Sequence, residues 1–85
     1  MNKEQIIVIE NGIWCLITAA MYNNEFTRKI LNRLINSYNN LEGDEYKYLY
    51  VKAIQVDKML ELGLNAKEML ENDLKSWEKW EKEID

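Results

Sequence analysis

The chain of 85 residues contains no histidine, no proline, one cysteine and three glycines. Without histidine there is no Ser–His or Cys–His nucleophile pair and no imidazole ligand for a metal ion. The glycines stand apart from one another, so neither a P-loop nor a dinucleotide-binding glycine motif occurs. These absences predict that the chain is not an enzyme, has no cofactor and acts on no small-molecule substrate.

The single cysteine, Cys15, cannot form an internal disulfide, which favours a reducing, cytoplasmic location. It lies in an apolar run and is predicted to be a small buried core residue. That run, residues 13–20, is shorter than the roughly 20 residues that cross a bilayer. Lys3 is offset by Glu4, so the start of the chain lacks the positive charge of a signal peptide. We therefore expect no membrane association.

Positive charge is also scarce, with 11 Lys and Arg against 15 Asp and Glu and a net charge of −4. The whole acidic excess lies in residues 44–85, which hold 7 Lys and 11 acidic residues. Nucleic-acid-binding proteins usually carry a basic surface, so a nucleic-acid partner is not expected. The favoured residues, among them Asn, Ile and Lys, mostly have AT-rich codons, which hints at a phage or mobile-element origin.

Apolar residues that recur every three or four positions predict helices over about 3–22, 24–39, 44–62 and 66–83. Asn24, Asp44 and Asn65 are the expected N-caps, and Gly63 is expected to end the third helix in a left-handed conformation. The β-branched run at 6–9, with Gly12 soon after it, leaves a short strand as the alternative there. The first helix is apolar on nearly all sides in its second half and is expected to be central.

Short connections between these segments favour antiparallel neighbours. We therefore predict an all-α fold, with residues 1–85 forming a single helical domain. Its architecture is expected to be a compact bundle of three to four mostly antiparallel helices.

The third predicted helix carries more apolar surface than one core contact needs. At 100° per residue, a second apolar face lies opposite the main one. Tyr and Met are enriched in interface cores, so this face is predicted to bind a protein partner or a second copy of the chain. Packing inside its own chain is the alternative. Trp80, at the margin of the apolar stripe of the fourth predicted helix, is a further candidate for binding the partner. The predicted partner-binding residues are Tyr48, Val51, Met59, Leu62 and Trp80.

A local basic patch lies on the second predicted helix and consists of Arg28, Lys29 and Arg33. It is interpreted as a solvated face, a docking site for an acidic helix of a second subunit, or a contact to phosphates. In the last case the second and third helices would form a helix-turn-helix pair, and the protein would be a small DNA-binding transcriptional regulator. This is the main alternative function.

Two carboxylate patterns are also notable. Asp57 lies in the main apolar arc of the third helix, so it is predicted to be a boundary residue or to pair with Arg28, Arg33 or a tyrosine hydroxyl; a contact at an interface is the alternative. Four acids of the last helix are spaced as Mg²⁺-dependent helical pyrophosphohydrolases need, with Asp57 and Glu61 available on a second helix. They are Glu68, Glu71, Glu78 and Glu81. The interleaved lysines favour ordinary solvated faces instead.

The sequence thus predicts a small protein–protein interaction module that acts as an inhibitor, adaptor or regulator by occupying a surface.

Overall fold

Four helices make up most of residues 1–84, the part of the chain that the computed structural model describes. They are α1 (Lys3–Met21), α2 (Glu25–Asn39), α3 (Asp44–Glu61) and α4 (Ala66–Ile84). No strand occurs in that part of the chain. The predicted all-α fold, a compact bundle of helices, is confirmed.

The start of α1 is helical, so the alternative of a strand at 6–9 is wrong. Asn2 Oδ1 accepts a hydrogen bond from the Gln5 backbone N–H at 2.9 Å, and Gln5 Oε1 accepts one from the Asn2 N–H at 3.0 Å. This capping box fixes the first turn. The helix continues through Gly12, which is buried against α3: a Cβ added there would lie 2.5 Å from both Cδ atoms of Leu49. Close packing of two helices therefore outweighs the low helix propensity of glycine.

Three predicted boundary residues are confirmed. Asn24 Oδ1 accepts from the Thr27 N–H at 2.9 Å, and Asn65 Oδ1 accepts from the Glu68 N–H at 3.1 Å. Gly63 follows the last turn of α3 with φ +71°, a left-handed conformation that favours glycine.

The predicted cap at Asp44 is wrong by one residue. Gly43 is the N-cap of α3, with φ +128° and no side-chain cap. Asp44 is the first helical residue instead, where its carboxylate still interacts favourably with the positive end of the helix dipole. The chain needs a positive φ to turn into α3, and only glycine adopts that conformation readily.

Consecutive helices run antiparallel, whereas α1 and α3 are parallel neighbours. At their starts Gln5 Nε2 donates to Glu45 Oε2 at 2.7 Å, and at their ends Asn23 Nδ2 donates to the Leu60 carbonyl at 3.3 Å. α2 packs mainly on α3 and α4 mainly on α1, and within residues 1–84 α2 and α4 do not touch. The bundle is consequently flat, with Cα extents of 40 × 27 × 16 Å.

A shared apolar core draws side chains from all four helices. Its largest members bury almost all of their surface, and each such side chain stabilises the fold by roughly 1.5–3 kcal/mol. These members include Ile9, Ile13, Leu16, Ile17, Leu31, Leu49, Val56, Leu70 and Leu74. The arrangement leaves α1 and α3 as the central pair.

α1 is central, as predicted, but only half of its surface is covered. α2, α3 and α4 all pack on one half of it, and the outer half exposes Trp14, Cys15 and Met21. Cys15 is therefore exposed and not a core residue. By length and composition α1 could cross a membrane, with a mean hydropathy of 1.2, and 39% of that stretch is buried in the bundle.

Candidate partner-binding groove

An open groove of about 430 Å³ runs between α3 and α4, which touch at only a few positions. The antiparallel register places early residues of α3 opposite late residues of α4. Two of the five predicted partner-binding residues, Tyr48 and Trp80, thereby come together in one depression. Its lining consists of Tyr48, Lys52, Asp73, Ser76, Trp77 and Trp80.

Three aromatic rings line this groove in a row. Tyr48 and Trp77 meet edge to face, with ring centroids 5.2 Å apart and an interplanar angle of 77°. Trp77 and Trp80 are 6.2 Å apart and tilted by 59°. Both arrangements are favourable for aromatic quadrupoles. Tyr48 and Trp77 are half-buried, whereas Trp80 is 56% exposed, so Trp80 offers the most ring surface to a partner.

Two pairs of polar side chains meet inside the groove. Trp77 Nε1 donates a hydrogen bond to the Tyr48 hydroxyl at 2.9 Å. Lys52 Nζ lies 2.7 Å from Asp73 Oδ2 and 5.6 Å from the centroid of the Tyr48 ring. Burial raises the pKa of Tyr48 above its usual 10.0, although the hydrogen bond from Trp77 and the charge of Lys52 lower it. Tyr48 therefore stays a neutral phenol at pH 7 and fixes the Trp77 ring.

The remaining predicted partner-binding residues are divided between two environments. Val51 and Leu62 are 61% and 65% exposed and lie on the outer face of α3. Met59 is half-buried and packs against the core. The second apolar face of α3 is thus partly used within its own chain, through Tyr48 and Met59, and partly exposed.

The sequence did not single out three residues of the groove, namely Trp77, Lys52 and Asp73. Spacings of four and three place Lys52 with Tyr48, and Trp77 with Trp80, on common helix faces. Those spacings are visible in the sequence. Which face of α3 meets which face of α4 depends on tertiary packing. The cluster of these residues is therefore not visible in the sequence.

The first residue of the predicted basic patch is neutralised inside the molecule. Arg28 Nη2 lies 2.6 Å from Asp57 Oδ1 and 3.5 Å from Glu61 Oε1. The predicted pairing of Asp57 with Arg28 is therefore confirmed. A guanidinium held by two carboxylates of α3 is not presented to a phosphate.

The other two cations of the patch differ from each other. Lys29 Nζ lies 3.6 Å from Glu25 Oε1, and both side chains are largely exposed. Arg33 is exposed and has no carboxylate partner among residues 1–84. One unpaired cation and one weakly paired cation make a poor footprint for a DNA backbone.

The acids of the hypothetical magnesium site do not converge. Asp57 and Glu61 face Arg28 of α2 rather than the acids of α4. Within residues 1–84, no group of three acidic or cysteine side chains lies close enough to hold a metal ion.

An acidic contact does join α4 to α1, through Glu78, Glu81 and Glu10. Partial burial, a hydrogen bond with Glu81 and the negative charges of Glu81 and Glu78 raise the pKa of Glu10 to about 7. Glu10 therefore takes up a proton at a higher pH than an ordinary glutamate.

No protein family model matches the chain, and no curated protein or solved structure is significantly similar to it. The function proposed below consequently rests on the surface chemistry of this molecule alone.

Proposed function

We propose that this protein is a small protein–protein interaction module, and that the groove between α3 and α4 binds its partner. In this role it acts as an inhibitor, adaptor or regulator by occupying a surface of the partner protein. The observation that carries the proposal is the row of three aromatic rings ending in Trp80, which is 56% exposed. Tryptophan and tyrosine in partly enclosed sites are the residue types that dominate binding energy at protein interfaces.

The groove is ready to bind without rearrangement. The Trp77 N–H already donates to the Tyr48 hydroxyl, and Lys52 is already paired with the Asp73 carboxylate. A partner therefore does not have to order these side chains, which reduces the entropy lost on binding. Because Trp77 and Lys52 already have polar partners and Trp80 is the most exposed ring, we expect apolar or aromatic side chains on the partner.

The size of the groove limits what enters it. From Asp73 to Trp80 the α4 wall is eight residues long, which is seven steps of 1.5 Å or about 10 Å along the helix. That length accommodates one or two side chains of a partner segment. The acidic excess of residues 44–85 would steer the groove towards a basic partner surface. A cytoplasmic, phage- or mobile-element-encoded inhibitor fits this behaviour.

Affinity capture with matched variants tests the proposal. Trp80→Ala removes the exposed ring of the groove, and Phe26→Ala removes an aromatic ring that is 71% exposed on α2, away from the groove. A protein retained by wild type and by Phe26→Ala, but lost with Trp80→Ala, is the expected partner. Direct titration against that purified protein should then show at least a tenfold weaker Kd for Trp80→Ala. Equal capture by all three baits would contradict the proposal.

The DNA-binding alternative has its own measurement. A mobility-shift assay at low salt should show no shift with wild type, since the cations of α2 are largely paired. A shift that disappears in Arg28→Ala/Arg33→Ala would favour the regulator instead of the interaction module.

A further inference from the structure

The outer face of α1 carries an apolar stripe at regular spacing. Ile7, Trp14 and Met21 follow one another at intervals of seven residues and are 42%, 55% and 51% exposed. Seven residues fall about 20° short of two full helical turns, so the three side chains lie within about 40° of one another. The stripe extends along about 21 Å of helix at 1.5 Å per residue. None of its members belongs to the core or to the groove.

Most of the same face is free of charge, although Lys3, Glu4 and Glu10 lie beside its first turns. Between Asn11 and Asn24 the sequence contains no acidic or basic residue. The outer faces of the other three helices all carry charged side chains, for example Lys29, Lys58 and Lys79. Two copies of this chain, each with a net charge of −4, would repel most weakly if they approached through α1.

The spacing is also self-complementary. Trp14 lies midway between Ile7 and Met21, so a two-fold axis beside Trp14 in an antiparallel helix pair sets Ile7 of one copy against Met21 of the other. The same axis brings Asn11 close to Thr18 of the second copy, so these two polar side chains lie beside each other. Thr18 needs no partner, because its hydroxyl already donates to the Trp14 carbonyl at 3.1 Å. Contacts in which residue i meets residue j, and j meets i, define a two-fold interface.

We infer that α1 packs antiparallel against α1 of a second copy, with Trp14 on the two-fold axis. The resulting homodimer leaves the α3–α4 groove of each copy open. The inference does not depend on the function proposed for that groove.

Light scattering after size exclusion provides the first test. Wild type is expected to elute as a dimer and Trp14→Glu as a monomer. Leu62→Glu, at a position 65% exposed on α3, is the matched control and should stay dimeric. Circular dichroism confirms that each variant is folded. A monomeric wild type at high micromolar concentration overturns the inference, and so does a dimer lost in Leu62→Glu but kept in Trp14→Glu.

Cysteine cross-linking tests the register and does not depend on the Trp14 variant. Cys15 is exposed and lies next to the proposed axis, so a short bismaleimide should join two wild-type chains through it. With Cys15→Ser as background, a mixture of Ile7→Cys and Met21→Cys chains should oxidise mainly to the mixed dimer. Self-pairing of Ile7→Cys chains would indicate a parallel arrangement and overturn the inference. Co-sedimentation of a monomeric chain with phosphatidylcholine vesicles would overturn it in favour of a lipid surface.

Discussion

α3 contacts α1 and α4, two of its three neighbours, in opposite ways. Against α1 the contact is close, because Gly12 has no side chain and Leu49 fills the space directly above it. Against α4 the contact is made by the ends of large side chains, Tyr48 to Trp77 and Lys52 to Asp73. The first contact builds the core, and the second holds the helices apart and leaves a groove. Residue size at the helix interface thus decides which side of α3 is structural and which side is accessible.

The largest expected effect comes from removing the side chain that fills the close contact. Leu49 is 1% exposed, so Leu49→Ala should lower the free energy of unfolding by about 2–5 kcal/mol. Urea unfolding followed by circular dichroism measures this change. Val51→Ala, at an exposed position two residues away, is the control and should change stability by less than about 0.5 kcal/mol. Equal losses for the two variants would show that the close contact does not carry the fold.

Adding a methyl group on the other side of the same contact should have the next largest effect. Gly12→Ala should destabilise by about 1–2 kcal/mol, since overpacking against Leu49 exceeds the gain of up to ~1 kcal/mol in helix propensity. In a Leu49→Ala background the space is free, and Gly12→Ala should become neutral or stabilising. A double-mutant cycle in urea measures this coupling. Additive effects would mean that Gly12 and Leu49 do not meet.

These close contacts also show how far the sequence predicts the fold. The helices, the caps at Asn24 and Asn65 and the end at Gly63 follow from local chemistry, and all were predictable. The close contact at Gly12 was not predictable, because it depends on Leu49, which is 37 residues later in the chain. For the same reason, local patterns left a short strand at 6–9 open as an alternative to the helix.

The candidate site was predictable only in part. Tyr48 and Trp80 were identified as exposed or marginal aromatics from their helical positions. Their assembly with Trp77 depends on the register of α3 against α4, which no local pattern encodes. The stripe on α1 is different. Its seven-residue spacing is visible in the sequence, but a fully buried helix could show the same spacing of apolar residues.

A smaller effect is expected at the open contact. Tyr48→Phe removes the acceptor of the Trp77 N–H and should lower stability by about 0.5–1.5 kcal/mol. It should also change the tryptophan emission, because the indole N–H then faces solvent. Thermal unfolding and fluorescence measure the two effects. Tyr22→Phe is the control, at a tyrosine that is 58% exposed. An equally stable Tyr48→Phe would show that the groove is not held by this hydrogen bond.

The smallest effect concerns pH and the contact between α1 and α4. Burial, the hydrogen bond with Glu81 and the neighbouring carboxylate charges raise the pKa of Glu10 from 4.5 to about 7 in the folded protein. A raised pKa means that the folded state binds the proton more tightly. The stabilisation is therefore complete below pH 4.5 and is lost as pH rises through about 7.

Glu10→Gln should remove that pH dependence, because its amide carries no charge at any pH. We expect the melting temperature of wild type, relative to this variant, to fall between pH 4.5 and 7.5. Glu4→Gln, an exposed carboxylate on the same helix, should follow wild type across the range. Parallel pH profiles for wild type and Glu10→Gln would contradict the raised pKa of Glu10.

The pairing of the first helix with the last has a consequence for synthesis on the ribosome. α2 and α3 are joined by a short turn and can associate as soon as both have emerged. α1 must wait for α4, and at roughly 5–20 residues per second that delay lasts several seconds. During that interval the most apolar helix of the chain is without its main neighbour. Until α4 has emerged, the nascent chain therefore exposes apolar surface of the kind that chaperones bind.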